Sequence, residues 1–160
     1  MGKILLRTQL SLDNCREHLD KTNSWDTEIE SYLTQYVLVI MCSEIQQEIY
    51  KVLEYRASKT GDVALKNYAI STCKRVLRSI KKSEVTGFVG YFGETAKEYL
   101  NKNINDKDIA IYDNAVSMRN AVAHQSGTNI TFRELEGAME VAKKFICVVD
   151  EAISHSIGIS

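Results

Sequence analysis

The chain has 160 residues, 20 basic and 21 acidic side chains, a net charge of −1 and no proline, where average usage of about 5% predicts roughly eight. Its length fits one domain, residues 1–160, with a core that needs no metal or disulfide staples, and 44% hydrophobic with 26% charged residues excludes wholesale disorder. The near-neutral balance excludes a protein that coats nucleic acid through net charge, so any nucleic-acid contact must come from a local patch.

No glycine or proline falls between residues 3 and 60, and the apolar residues there recur at helical spacing, so helices should dominate. Arg7, Asp13 and Arg16 interrupt the apolar start too early for a signal sequence or a membrane span, which points to the cytoplasm. A first helix is predicted over about 3–20, broken by the polar run Asp20-Lys21-Thr22-Asn23-Ser24. Thr27 and Glu30 match a T-x-x-E capping box and should start a long second helix. Its core face reads Ile29, Leu33, Tyr36, Val37, Ile40, Met41, Ile45, Ile49, Val52 and Leu53. Gly61 is placed to end it and Asp62 to cap a third helix of about 63–82.

That third helix is two-faced. Leu65, Ala69, Cys73, Val76, Leu77 and Ile80 share one sector, with Lys74, Arg75, Arg78, Lys81 and Lys82 opposite. Residues 63–83 carry six positive charges and no negative one, leaving −7 for the remainder. Such a basic face binds an RNA backbone, pairs with an acidic partner surface, or is merely solvated. Used as a reader, it would also suit a helix-turn-helix regulator. Residues 85–93, VTGFVGYFG, read as a short helix or irregular elbow in competition with a strand. A short helix over 94–102 follows, then one over about 106–123 capped by Asn105 or Asp106 and stopped by Gly127. Thr131 with Glu134 forms a second capping box, stapled by Ile130 and Leu135, and launches a last helix to about residue 154. The expected fold is all-α, an up-and-down bundle of four to six helices.

Cys15, Cys42, Cys73 and Cys147 lie too far apart for a CxxC motif and read as small buried hydrophobes. His18, His124 and His155 complete no zinc spacing, so neither metal nor cofactor is expected. His18 and His155 read as surface residues.

The most informative segment is Ser117-Met118-Arg119-Asn120-Ala121-Val122-Ala123-His124-Gln125-Ser126-Gly127. Five positions rotate a helix by about 140°, so Arg119 and His124 share no stripe of a regular helix, but they converge if the helix ends between them. Ile111, Ala115, Met118 and Val122 read as the apolar stripe, with Arg119 at its border. By spacing alone the simpler reading is that the two cations close the helix end against its last carbonyls.

RNAVAH, placed at the end of the penultimate helix of an all-helical chain, resembles the R-x4-H motif of the HEPN superfamily, more particularly its RiboL-PSP-type branch. The resemblance runs from the long second helix to the last one. It implies a metal-independent endoribonuclease of toxin or phage-defence type, acting as a homodimer with Arg119 and His124 of both copies in one cleft. His124 would move protons, Arg119 would hold phosphate, and Asn120 would hold phosphate or orient His124. Glu44, near the apolar stripe of the long helix, is a supporting candidate approaching Arg119. The implied partners are a second copy, RNA, and an antitoxin or defence-system protein, with no membrane. Ser126 stands where some HEPN toxins carry a tyrosine modified by a nucleotidyltransferase antitoxin, which speaks against that regulation. The competing reading is a catalytically silent HEPN module for dimerisation or partner docking.

Overall fold

The computed structural model describes residues 4–123 and 130–155, the side chains of Asn120, Ala121, Ala123 and His155 excepted. Among the described residues the chain forms seven α-helices, two 3-10 turns and no strand. They are α1 (Leu6–Thr22), α2 (Glu28–Ala57), α3 (Val63–Val76), α4 (Lys82–Val89), α5 (Glu94–Lys102), α6 (Asp106–Ala123) and α7 (Phe132–His155). The helices outnumber the four to six expected because the region around 63–93 is more divided than its periodicity suggests.

α2 is the central element and packs against α1, α3, α6 and α7, with α5 and α6 also lying on α7. The core is built from Val37, Met41, Ile45 and Ile49 of α2, Tyr112 and Ala115 of α6, and Leu135, Ala142, Phe145 and Val149 of α7, all essentially inaccessible. The Tyr112 and Phe145 rings lie 4.9 Å apart between centroids at a tilt of 50°, and Trp25 of the α1–α2 connection meets Phe132 at the start of α7 edge-on at 5.5 Å.

Local chemistry sets the helix ends. α1 stops where Asn23 turns left-handed at φ 51°. The Thr27 hydroxyl accepts from the Ile29 N–H at 3.2 Å, but Glu30 closes onto the Asp26 N–H, 2.8 Å, one residue before the position a reciprocal capping box requires. Gly61, at φ 71°, takes the left-handed turn after α2 and its 3-10 extension, and Asp62 caps α3 through the Leu65 N–H at 3.0 Å. Asn105, rather than Asp106, caps α6 through the Asp108 N–H at 2.7 Å. Thr131 and Glu134 form the full reciprocal box, at 3.2 and 2.8 Å, and Ile130 and Leu135 are both buried beside it. The 85–93 stretch is helical, α4 followed by a 3-10 turn over Gly90–Phe92.

Three expectations are corrected. The third helix ends at Val76, and residues 77–81 run on as a strap before α4 starts. The strap leaves the helix because tertiary partners take its carbonyls: the Tyr50 hydroxyl donates to Leu77 O at 3.1 Å and the Tyr112 hydroxyl to Ile80 O at 2.6 Å. Leu77 and Ile80 are buried as a result. Secondly, α3 contributes no buried residue within its helical span; it packs chiefly on α2, and Leu65 and Val76 stay about half exposed. Thirdly, Ile29 and Tyr36 of α2 face solvent together with Tyr32 and Val39, and on α6 the buried row is Tyr112, Ala115 and Val116, with Ile111 outside it.

Candidate functional site

Arg119 stands one turn beyond Ala115 and Val116 on the buried row of α6, so the helix carries its guanidinium out of the core along that face. It emerges at a mainly polar pocket of about 210 Å³. α2 supplies Cys42, Ser43 and Gln46, the strap supplies Arg78, Ser79 and Ile80, and α6 supplies Val116 and Arg119. Among the described residues two guanidinium groups and no carboxylate line this pocket, a lining whose charge suits an anion.

The strap is anchored at three points. Besides the bonds to Leu77 O and Ile80 O, Asp113 of α6 accepts from the Lys82 N–H at 2.9 Å, fixing the start of α4. Gln46 extends the anchoring, because its amide donates to the Tyr50 hydroxyl at 2.9 Å, and that hydroxyl donates to Leu77 O. Arg78 is thereby held between two tethered carbonyls, and its Nε–H donates to Arg75 O at 3.1 Å. Burial raises the Tyr112 phenol well above its ordinary value, so the hydroxyl remains a donor. Burial likewise pushes the Cys42 thiol up to about 12, with the Arg119 charge pulling weakly the other way. Cys42 is therefore a neutral wall and not a nucleophile.

Of the residues singled out from sequence, Arg119 and Arg78 share this pocket. His124 lies outside the described residues, as does the side chain of Asn120, whose backbone belongs to the last turn of α6. Glu44 is elsewhere. Its carboxylate accepts from the Arg7 N–H at 2.9 Å, the Thr8 N–H at 2.8 Å and the Thr8 hydroxyl at 2.6 Å, capping α1 from the side. Leu5, the residue before α1, is left-handed and offers no side-chain cap, so Glu44 does that work.

The other basic candidates do not form one face, because the helix that would align them is broken at Leu77. Lys74 pairs with Glu54 at 2.7 Å and sits over the Tyr50 ring. Arg75 is exposed in the last turn of α3, Lys81 precedes α4, and the Lys82 ammonium is hydrogen-bonded to Asn101. Sequence reasoning overlooked Ser43, Gln46 and Ser79 in the pocket and Tyr50, Tyr112 and Asp113 behind it. One signal was available: Tyr112, Ala115, Val116 and Arg119 follow i, i+3, i+4, i+7, a row that places Arg119 at the end of the core-facing stripe.

Beside the pocket, Ile29, Tyr32, Tyr36 and Val39 form an apolar stripe on α2, 45, 64, 57 and 42% exposed, and the same sector leads one turn on to Ser43 of the pocket wall. Among the described residues no group of three His, Cys, Asp or Glu side chains is arranged to hold a metal ion, and no helix is long and apolar enough to cross a membrane. All four cysteines are free thiols, Cys15 and Cys42 buried, Cys73 and Cys147 partly so.

Fold and pocket together define an all-α, HEPN-like bundle whose penultimate helix delivers an arginine to a cationic pocket. More narrowly, the chain belongs to the RiboL-PSP-HEPN family, whose model matches residues 6–155, from α1 through α7. No curated protein and no solved structure matches the chain.

Proposed function

We propose that this protein is a metal-independent endoribonuclease of toxin or phage-defence type, working in the cytoplasm as a homodimer and kept in check or activated by a partner protein. The observation that carries the reading is that Arg119 and Arg78 line one pocket of a HEPN chain with no carboxylate among its described lining residues. A phosphodiester is the anion such a pair suits, since each planar guanidinium can grip two oxygens.

In this reading the ribose 2′-oxygen attacks phosphorus, the P–O2′ bond forms and the P–O5′ bond breaks, and the 2′-hydroxyl proton is balanced by one delivered to the leaving 5′-oxygen. His124 supplies proton transfer near neutral pH, its ordinary pKa of about 6.5 suiting either direction. One histidine cannot be base and acid in the same step, so a second copy of the chain contributes the other. Arg119 and Arg78 stabilise the charge that grows on the non-bridging oxygens, and Asn120 holds phosphate or orients His124. The apolar stripe of α2 is the surface through which two copies would pair, bringing the pockets to a shared border.

The test is cleavage of a single-stranded RNA in EDTA by the wild type, Arg119→Ala and His124→Ala. Losses of about 10²-fold or more in both variants, with helicity and dimerisation unchanged, are expected. Wild-type rates in both variants, or cleavage that requires added metal, would overturn it. An inert wild-type dimer would instead favour the silent docking module.

A further inference from the structure

A second pocket lies on the far side of the strap's anchor on α2, and the arginine site does not account for it. It encloses about 440 Å³ between the C-terminal end of α2, α3 and the 3-10 turn after α4. Leu53 and Ala57 form one wall, Leu65, Ala69 and Cys73 the other, and Phe92 closes an end. The space exists because α3 brings small side chains to α2 at this level, with Ala69 facing the region of Ala57, and because α3 buries none of its own residues. A volume of this size lies within the range of small-molecule sites, about 300–1,000 Å³.

The polar groups at its edge are few, and their commitments differ. The Thr60 hydroxyl is used, donating to Ala57 O at 3.0 Å. Burial raises the Cys73 thiol, so it stays neutral. Arg56 and Lys59 remain. Lys59 rests over the Tyr55 ring at 4.6 Å, and neither cation pairs with a carboxylate among the described residues. Arg56 is half-buried with its guanidinium unanswered. An apolar chamber edged, among the described residues, by a guanidinium without a carboxylate partner and an ammonium held only over an exposed tyrosine ring calls for one chemistry: an aliphatic body ending in an anionic head.

We infer that this chamber binds a small amphipathic anion, a medium-length acyl chain inserted between α2 and α3 with its carboxylate or phosphate head on Arg56 and Lys59. Binding would add apolar contact to α3, which has no fully buried residue within its helical span. Because α3 runs directly into the strap that holds Arg78, the site is also placed to stiffen the arginine pocket.

Isothermal titration with decanoate, decyl phosphate and decanol, below their aggregation concentrations, tests this on the full chain. Saturable one-to-one binding of decanoate or decyl phosphate is expected, at least about tenfold tighter than decanol. The tighter of the two anions identifies a carboxylate or a phosphate as the head. The anions should shift the methyl resonances of Leu53, Leu65 and Ala69. Arg56→Gln/Lys59→Gln, a change at the rim that spares the core, should bring the anion's affinity down to decanol's. Ala69→Phe, which fills the chamber, should abolish binding while circular dichroism stays helical. No saturable binding of either anion, equal affinity for decanol, or undiminished binding in the rim double variant would overturn the inference. None of these outcomes depends on RNA cleavage, so failure here and failure of the nuclease reading are separable.

Discussion

Replacing Glu44 separates a structural role from a catalytic one. Its carboxylate is 9% exposed and accepts three hydrogen bonds, two from the first backbone N–H groups of α1 and one from the Thr8 hydroxyl. Hydrogen bonds to a charged group contribute about 1.5–3 kcal/mol each, and leaving the partners buried without an acceptor adds to the loss. The three are not additive, since they share one carboxylate, so Glu44→Ala should cost about 3–5 kcal/mol. At about 2–4 °C per kcal/mol for a chain of this size, that lowers Tm by roughly 6–20 °C. Glu44→Gln keeps one acceptor oxygen but turns an amide donor toward an N–H, and should cost about 2–3 kcal/mol. Thr8→Val removes one of the three bonds and should cost less still. The assay is thermal and urea unfolding of all three variants, with RNA cleavage measured well below each Tm. Cleavage per folded molecule should match the wild type in Glu44→Gln. A Glu44→Ala protein within about 2 °C of wild-type Tm but catalytically dead would refute the capping argument and return Glu44 to the Arg119 site.

Other consequences follow from the strap, the stripe and the caps. Tyr112→Phe leaves Ile80 O without its donor in the core, so it should destabilise by about 1–2 kcal/mol and lower kcat/KM for RNA, checked by urea unfolding and steady-state kinetics. Arg78→Lys keeps the charge and loses the planar fork, and should lose about tenfold in cleavage, with Arg78→Ala losing more. Tyr36→Glu on α2 should convert the proposed dimer to monomer in analytical ultracentrifugation, with the circular dichroism spectrum still helical because Tyr36 is exposed in the single chain. Thr131 holds the Glu134 carboxyl below the usual carboxylate range through its N–H and hydroxyl. A depressed folded-state pKa stabilises above the unfolded value and is lost as pH falls through the folded one, so this cap should weaken only below about pH 4.5; Glu134→Gln should remove that component of the acid-unfolding curve, and Thr131→Ala, which keeps the backbone N–H, should only reduce it. Cys42, raised to about 12, should resist thiol reagents at neutral pH despite lining the pocket, as mass mapping would show.

Much of the bundle was legible because its signals are local. The Asn105 and Asp62 caps, the Thr131–Glu134 box and the Gly61 turn each depend on residues within a few positions of one another. What sequence periodicity could not reveal were choices made by distant partners. Nothing around Leu77 forbids a helix; it stops there because Tyr50 and Tyr112, far away in sequence, claim the carbonyls of Leu77 and Ile80. That break dissolves the uniform basic face and sends Arg78 to Arg119, while Lys74 turns to Glu54. Glu44 was similarly ambiguous, since a glutamate beside an apolar stripe can turn to either neighbouring helix, and the uncapped start of α1 decides it. The exposed stripes of α2 and α3 read as core because apolar periodicity does not say whether a second surface covers it.

The central claim is that Arg119, His124 and a second copy of the chain cut RNA by internal attack of the 2′-hydroxyl. End-group analysis of a defined RNA after incubation with the purified protein in EDTA tests it most directly. The expected ends are 2′,3′-cyclic phosphate and free 5′-hydroxyl, with a substrate carrying 2′-deoxyribose at the cut site left intact. Ends with 5′-phosphate and 3′-hydroxyl, or cutting of the deoxy-substituted strand, would contradict it.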